Sequence, residues 1–309
     1  MAPNIIKTRY GSRFSIPKGS EEDLISKFIL RYGEWAWDEV RFAASLVPTN
    51  GRVIDGGAYL GTFGLGLMLR KQLSRICFIE ASKGAARLLK MNVESNANCE
   101  FFIECKILAG RNKFSKIGFA SAGNNGSTSF AIDTKGTERV VSATRSCTLL
   151  DLRKKYGRFD LIKLDIEGME RDVVFSDLFW IADKTNLLLE CTESVESLNL
   201  GRHLLQLGIP IHFFAFPSYN PSNFRKNHEP IFPYAYEASL VVGPSRPRLR
   251  GALIKNRCIL RKVNTLNDLK QALWETPRWG MAEWREMPPS EAAVQGRYYL
   301  KQSFEGFLN

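Results

Sequence analysis

Short apolar runs and longer amphipathic stretches take turns along the middle of this chain. The apolar runs, rich in β-branched and aromatic residues, fall at 52–55, 76–80, 100–107, 159–165, 186–190 and 211–215, and their length predicts strands buried in a sheet. Helical patterns separate most of them, at 62–74, 83–95, 169–175 and 195–207. Strands alternating with helices predict an α/β, doubly wound, mostly parallel sheet. A last run over 237–242 is expected to close it as an antiparallel edge strand. Before the alternation begins, 21–47 reads as helical with a break near Gly33, anchored by Trp35 and Trp37. Residues 116–146 carry two strand-like pieces around GNNGST, which is too long for a plain connection and predicts an inserted hairpin near the active face. Three parts follow: an N-terminal helical cap (1–50), the sheet domain (51–243), and a basic, Trp-containing extension packed on it (244–309).

The first strand runs into the stretch VIDGGAYLG, residues 53–61. Glycines at 56 and 61 have the spacing of a P-loop, but Thr62 and Phe63 stand where its lysine and hydroxyl belong, so phosphoryl transfer is disfavoured. The order GGxxxG also differs from the GxGxxG of dinucleotide folds. What remains is a strand-end carboxylate, Asp55, and a bare turn into a helix. Backbone N–H groups at a helix start donate to a carboxylate, and an acid nearby suits an ammonium, so a zwitterionic amino-acid moiety fits. S-adenosyl-L-methionine (SAM) carries one. Glu80 ends the next strand, 25 positions on, where an acid can take both ribose hydroxyls. Ser82 already suits helix capping there.

Composition sets the surroundings for this reading. A chain of 309 residues, 44% hydrophobic and 24% charged, can bury one sizeable core, and one domain with additions is expected. No apolar run approaches the roughly 20 residues that cross a bilayer, and the N-terminus lacks a secretory apolar stretch. A cytoplasmic protein is expected. Six cysteines without a CxxC pair predict reduced thiols rather than a zinc site or disulfides. The net charge of +11 is concentrated: residues 243–263 hold seven Lys or Arg, among them Arg246, Arg248 and Arg250, with no acid. Without interleaved aromatics, this patch reads either as a solvated linker or as a polyanion contact.

Taken in order, DGGAYLG, FIEASKGAARLLKMNVESN, TLLDL, FDLIKLDIEGMERDVV and LLLE resemble the FkbM family of SAM-dependent methyltransferases over roughly 51–242. The resemblance implies a class I (Rossmann-like) SAM-dependent methyltransferase fold, with SAM as donor. It further implies O-methylation of a hydroxyl on a sugar, glycan or other polyhydroxylated small molecule. Gly56 and Tyr59 depart from that family's usual DVGANxG. The cofactor-binding candidates are Asp55, Gly56, Gly57, Ala58, Tyr59, Gly61, Thr62, Glu80, Ala81 and Asp165.

Asp165 ends the fourth strand of the sheet, beside the first, and Glu167 lies in the loop after it. Displacement at a methyl centre gains from positioning, and a hydroxyl nucleophile needs its proton removed by a carboxylate or His. Asp165, Glu167 and His228 are the catalytic candidates, His228 because its loop leaves the sixth strand on the ligand side. Together Asp165 and Glu167 are also able to hold a divalent cation, or simply to order the loop and cap a helix. His203 and His212 read as structural. Asn124, Asn125, Ser127 and Thr128 are candidate polyol contacts, and Trp274, Trp279 and Trp284 read as packing or sugar-stacking residues. Two alternatives to a small hydroxylated acceptor stay open: methylation of RNA or another polyanion docked on the arginines, and a non-catalytic SAM-binding partner.

Overall fold

The computed structural model describes residues 3–19, 23–110, 118–120, 129–131, 145–166, 168–181, 184–231, 235–277 and 287–308. A hairpin opens the chain, β1 (Asn4–Thr8) and β2 (Gly11–Ile16), followed by α1 (Leu24–Tyr32) and α2 (Trp37–Ala43). Then come β3 (Gly51–Gly56), α3 (Thr62–Arg70), β4 (Leu73–Ile79), α4 (Lys83–Asn96) and β5 (Glu100–Glu104). The short strands β6 (Ile107–Leu108) and β9 (Ser146–Cys147) pair in parallel, and between them in sequence lies the antiparallel hairpin of β7 (Gly118–Ala120) and β8 (Ser129–Ala131). The alternation resumes with α5 (Leu149–Tyr156), β10 (Leu161–Leu164), α6 (Glu170–Ile181), β11 (Asn186–Glu190), α7 (Val195–Gln206) and β12 (Ile211–Pro217). It ends with β13 (Tyr236–Val242), α8 (Ala252–Lys255), β14 (Ile259–Val263), α9 (Leu266–Trp274) and α10 (Pro289–Tyr299).

Eight strands form the central sheet, in the order β14-β12-β13-β11-β10-β3-β4-β5. Neighbours among β11, β10, β3, β4 and β5 run parallel, whereas β13 is antiparallel to both β11 and β12. The run at 237–242 is therefore an internal strand rather than the edge. The edge is β14, from the C-terminal extension, antiparallel to β12.

Alternate residues of one strand serve two cores, as a sheet covered on both faces requires. Ile54, Ile162, Leu187 and Leu189 face the cluster shared with α5, α6, α7 and α9. Val53, Leu161 and Leu188 face the cluster shared with α2, α3 and α4.

Local chemistry sets the helix ends. Gly33, at φ 73°, closes α1, a left-handed position that suits glycine. Ser82 caps α4 by accepting from Ala85, as anticipated. The T-x-x-D box of Thr148 and Asp151 starts α5, a helix the apolar pattern alone does not announce. Another departure is at the N-terminus, where the expected helical cap begins with the β1–β2 hairpin. Asn92 of α4 holds that hairpin, accepting from Ser15 N and donating to Ser15 O at 3.0 Å. Among the described residues no helix is long and apolar enough to cross a membrane. Four of the six cysteines, Cys77, Cys147, Cys191 and Cys258, are buried as free thiols.

Candidate active site

The carboxyl ends of β3, β4 and β10 meet at the glycine turn. Gly57 has φ 77°, and a Cβ there would sit 1.8 Å from the Asp165 carbonyl oxygen. Only glycine lets the turn and the end of β10 approach so closely. Gly57 N and Ala58 N both donate to Ile79 O at 3.0 Å, and Asp165 N donates to Gly56 O at 3.0 Å, so the three strand ends are locked together. Gly61, at φ 86°, starts α3 with Thr62 as its first residue. The other glycines here are packing residues: a Cβ on Gly64 would strike Phe78 at 2.2 Å, and one on Gly56 would meet Leu164 at 2.9 Å.

Tyr59 takes the left-handed conformation at φ 47°, a position where the asparagine of the FkbM pattern is at ease and a bulky side chain is strained. Three contacts over-determine it. Tyr59 N donates to Glu80 Oε2 at 2.8 Å, its hydroxyl donates to Asp23 Oδ2 at 2.8 Å, and its ring packs in the α2/α3 cluster. Asp23 also caps α1 through Ser26 N at 2.9 Å. Tyr59 thus ties the N-terminal helix to the glycine turn.

Asp55 is fully buried. Its Oδ2 accepts from Gly64 N at 3.0 Å, and its Oδ1 is a buried atom with no hydrogen-bond partner. Burial pushes its pKa up to about 6, against the pull of Lys163. In register beside it stands Lys163, buried, with Nζ 2.9 Å from Asp165 Oδ2 and 5.3 Å above the Phe63 ring. Burial opposes the ammonium charge, but Asp165, Glu39 and Asp55 together hold it above the usual lysine range. Glu39 of α2 completes the group: burial raises it to about 7, and Ser239 Oγ donates to its Oε1 at 3.3 Å. One cation thus faces three carboxylates under the turn, of which only Asp165, 41% exposed at its side chain, reaches solvent.

Glu80 sits at the end of β4 as expected, half-buried. Its Oε1 accepts from Ser82 N at 2.7 Å and its Oε2 from Tyr59 N at 2.8 Å. Burial raises its pKa, and the backbone N–H groups of Ser82, Tyr59 and Ala81 oppose the rise. A carboxylate offers about four acceptor positions, and with three taken by backbone N–H groups one remains for a ligand hydroxyl.

Past β10, Glu170 is buried, accepts from Ile166 N at 2.8 Å, and is raised by burial to about 7. It fixes the loop that carries Asp165. Glu167 lies outside the described residues, as do Asn124, Asn125, Ser127, Thr128, Trp279 and Trp284. His228 is exposed on the loop after β12, whose Glu229 pairs with Arg31 and accepts from the Tyr32 hydroxyl at its carbonyl. That loop leaves a strand three places from β10 in the sheet, roughly 14 Å away at the usual strand spacing. His203 Nδ1 lies 2.8 Å from Asn199 O and its ring tilts on Phe175, and His212 pairs in the β12 ladder. Trp274 packs edge-on against Phe304 and Phe307.

Lys163, Glu39, Glu170 and Asp23 are the site residues that the motif reading passes over. For Lys163 a signal existed: it is the one charge inside the apolar run LIKL, and a buried lysine requires partners.

Residues 55–207 match the family model described as the methyltransferase FkbM domain. The chain carries an FkbM methyltransferase domain. SAM is the cofactor of this domain, and the chain is a SAM-dependent methyltransferase. Among curated proteins none matches the chain. Solved structures similar to it include three methyltransferases. One, from Streptococcus pneumoniae, is described as a tRNA (m1A22) methyltransferase in complex with SAM (13% identity, 71% of this chain and 77% of that one, TM-score 0.41). Another is a precorrin-6y C5,15-methyltransferase from Geobacter metallireducens (8%, 67% and 87%, 0.40). The third, from Pyrococcus horikoshii, is described as an RNA methyltransferase (13%, 67% and 81%, 0.37).

The residues of the FkbM domain fit SAM. The partnerless buried Oδ1 of Asp55 and the remaining acceptor position of Glu80 suit a cationic amino acid and a ribose hydroxyl, and the turn between them is stripped of side chains at Gly57 and Gly61.

Proposed function

We propose that this FkbM enzyme transfers the methyl group to a hydroxyl of a sugar, glycan or other polyhydroxylated small molecule. The observation that carries this reading is the state of Asp165. It stands at the carboxyl end of β10, its backbone joined to the glycine turn, its Oδ2 held by Lys163 and two-fifths of its side chain open to solvent. SAM supplies an electrophilic methyl carbon on a sulfonium. The remaining requirements on the protein are to orient an acceptor oxygen and take its proton, and a fixed, half-exposed carboxylate beside the cofactor turn suits both. Lys163 keeps Asp165 in one rotamer, Glu170 keeps its loop in place, and Glu39 and Asp55 keep Lys163 charged.

The test is transfer of a radiolabelled methyl group from SAM to pooled glycans, pooled small hydroxylated metabolites and RNA, with and without chelator. Label in the first or second pool, lost in Asp165→Asn while SAM affinity persists, supports the proposal. Label confined to RNA, or an Asp165→Asn variant as fast as the parent, overturns it.

A further inference from the structure

Five arginines converge at the end of the sheet opposite the candidate active site. Arg41 of α2, Arg70 at the end of α3, and Arg246, Arg248 and Arg250 after β13 line one groove of about 580 Å³. The topology accounts for its position. Because β13 runs antiparallel to β11, the chain leaving Val242 emerges at the amino ends of the parallel strands. Asn186, at the start of β11, fixes it there: its Nδ2 donates to Ser245 Oγ at 2.9 Å and its Oδ1 accepts from Ser245 N at 3.1 Å. The six residues of β3 put roughly 17 Å between this end and the cofactor turn. A small molecule in the groove is therefore out of reach of the transferred methyl.

The arginines are also arranged in line. Arg246, Arg248 and Arg250 are exposed, alternating with buried Pro247 and half-buried Leu249, and Leu249 packs on the α2/α3 cluster. In an extended chain such alternation spaces the guanidinium stems about 6–7 Å apart over roughly 13 Å. Asp38 takes up the Arg41 charge at 2.6 Å. None of Arg70, Arg246, Arg248 and Arg250 has an acidic partner among the described residues. Among the described residues no aromatic side chain lines the groove.

We propose that this groove docks the phosphodiester backbone of a single-stranded polynucleotide, without reading its bases, as a site separate from the methyl-transfer cleft. Guanidinium forks match phosphate oxygens, and the absence of stacking residues removes base recognition. A row of charges spaced by two residues fits phosphates strung along a chain. A compact oligophosphate concentrates its charge within one spacing and leaves the ends of the row unused.

The test is fluorescence anisotropy of the full chain with a labelled oligouridylate of about 12 nucleotides, titrated from 50 to 200 mM salt. Four phosphate contacts at a slope of about −0.7 each give about −2.8 in log K against log salt, a loss of about 50-fold over that range. Arg248→Ala combined with Arg250→Ala should halve the slope, because two contacts go, and leave SAM affinity by calorimetry unchanged, which also reports folding. Replacing the same two residues with lysine should keep the slope. Absent binding, a salt-independent signal, or an unchanged slope in the double alanine variant overturns the proposal. So does a preference for inorganic tripolyphosphate or for anionic phospholipid vesicles over the oligonucleotide. Because the readout is binding alone, its outcome does not depend on which acceptor is methylated.

Discussion

Replacing Asp55 by asparagine should make the protein more stable and a poorer cofactor binder. The carboxyl group is fully buried and its pKa is displaced from 3.8 to about 6, burial being the largest cause. At 1.36 kcal/mol per unit this corresponds to about 3 kcal/mol held against the folded state when the group is ionised. The sign follows from linkage. An acid whose folded pKa lies above its unfolded value takes up protons on folding, so its destabilisation is full above pH 6 and disappears below the unfolded value near 3.8. D55N removes the charge but keeps an oxygen for Gly64 N. Urea denaturation should therefore show D55N more stable by about 3 kcal/mol at pH 7.5, with the difference shrinking toward zero by pH 4. SAM affinity should fall at pH 7.5 by about 10- to 100-fold, the range of one charge-assisted hydrogen bond, measured by calorimetry. A D55N protein that is less stable than the parent at pH 7.5, or a stability difference that does not vary with pH, would refute the account of Asp55 as a buried charge kept for its ligand.

Three more outcomes are expected. Glu80→Gln keeps an acceptor for one backbone N–H but loses the charge, so SAM affinity by calorimetry should drop roughly 10-fold or more while the melting temperature moves by only a few degrees. Gly57→Ala puts a Cβ 1.8 Å from the Asp165 carbonyl, whereas Gly168→Ala, at φ 92°, meets nothing within 4 Å. Circular dichroism melts should show the former losing about 3 kcal/mol or more and the latter only about 1 kcal/mol. Arg297 is buried against Glu193, donates to the carbonyls of Leu273 and Trp274 at 3.2 Å, and stacks on Trp274. Arg297→Ala should therefore cost about 3–5 kcal/mol by denaturant titration, and a change below 1 kcal/mol would show that the C-terminal helix is not fastened to the sheet in solution.

Periodicity made most of the architecture legible. The parallel strands and the helices between them follow from apolar runs that alternate with amphipathic ones, because a sheet covered on both faces imposes that pattern wherever it occurs. Asp55, Glu80 and Asp165 were legible for a similar reason: acids at the ends of apolar runs stand out. What no local pattern carries is pairing. The edge position of β14 and the internal position of β13 depend on which neighbours each strand finds, and strands of 5 to 7 residues look alike in isolation. Lys163 is a charge in an apolar run until register sets it beside Asp55 and helix packing brings Glu39 across from α2. The arginines at 41 and 70 lie far from those at 246–250 in the chain, and folding alone closes them into one groove. A chain encodes its periods and turns through neighbours a few residues apart, but electrostatic partners are chosen by packing between distant segments, and it is there that the chemistry of this protein is set.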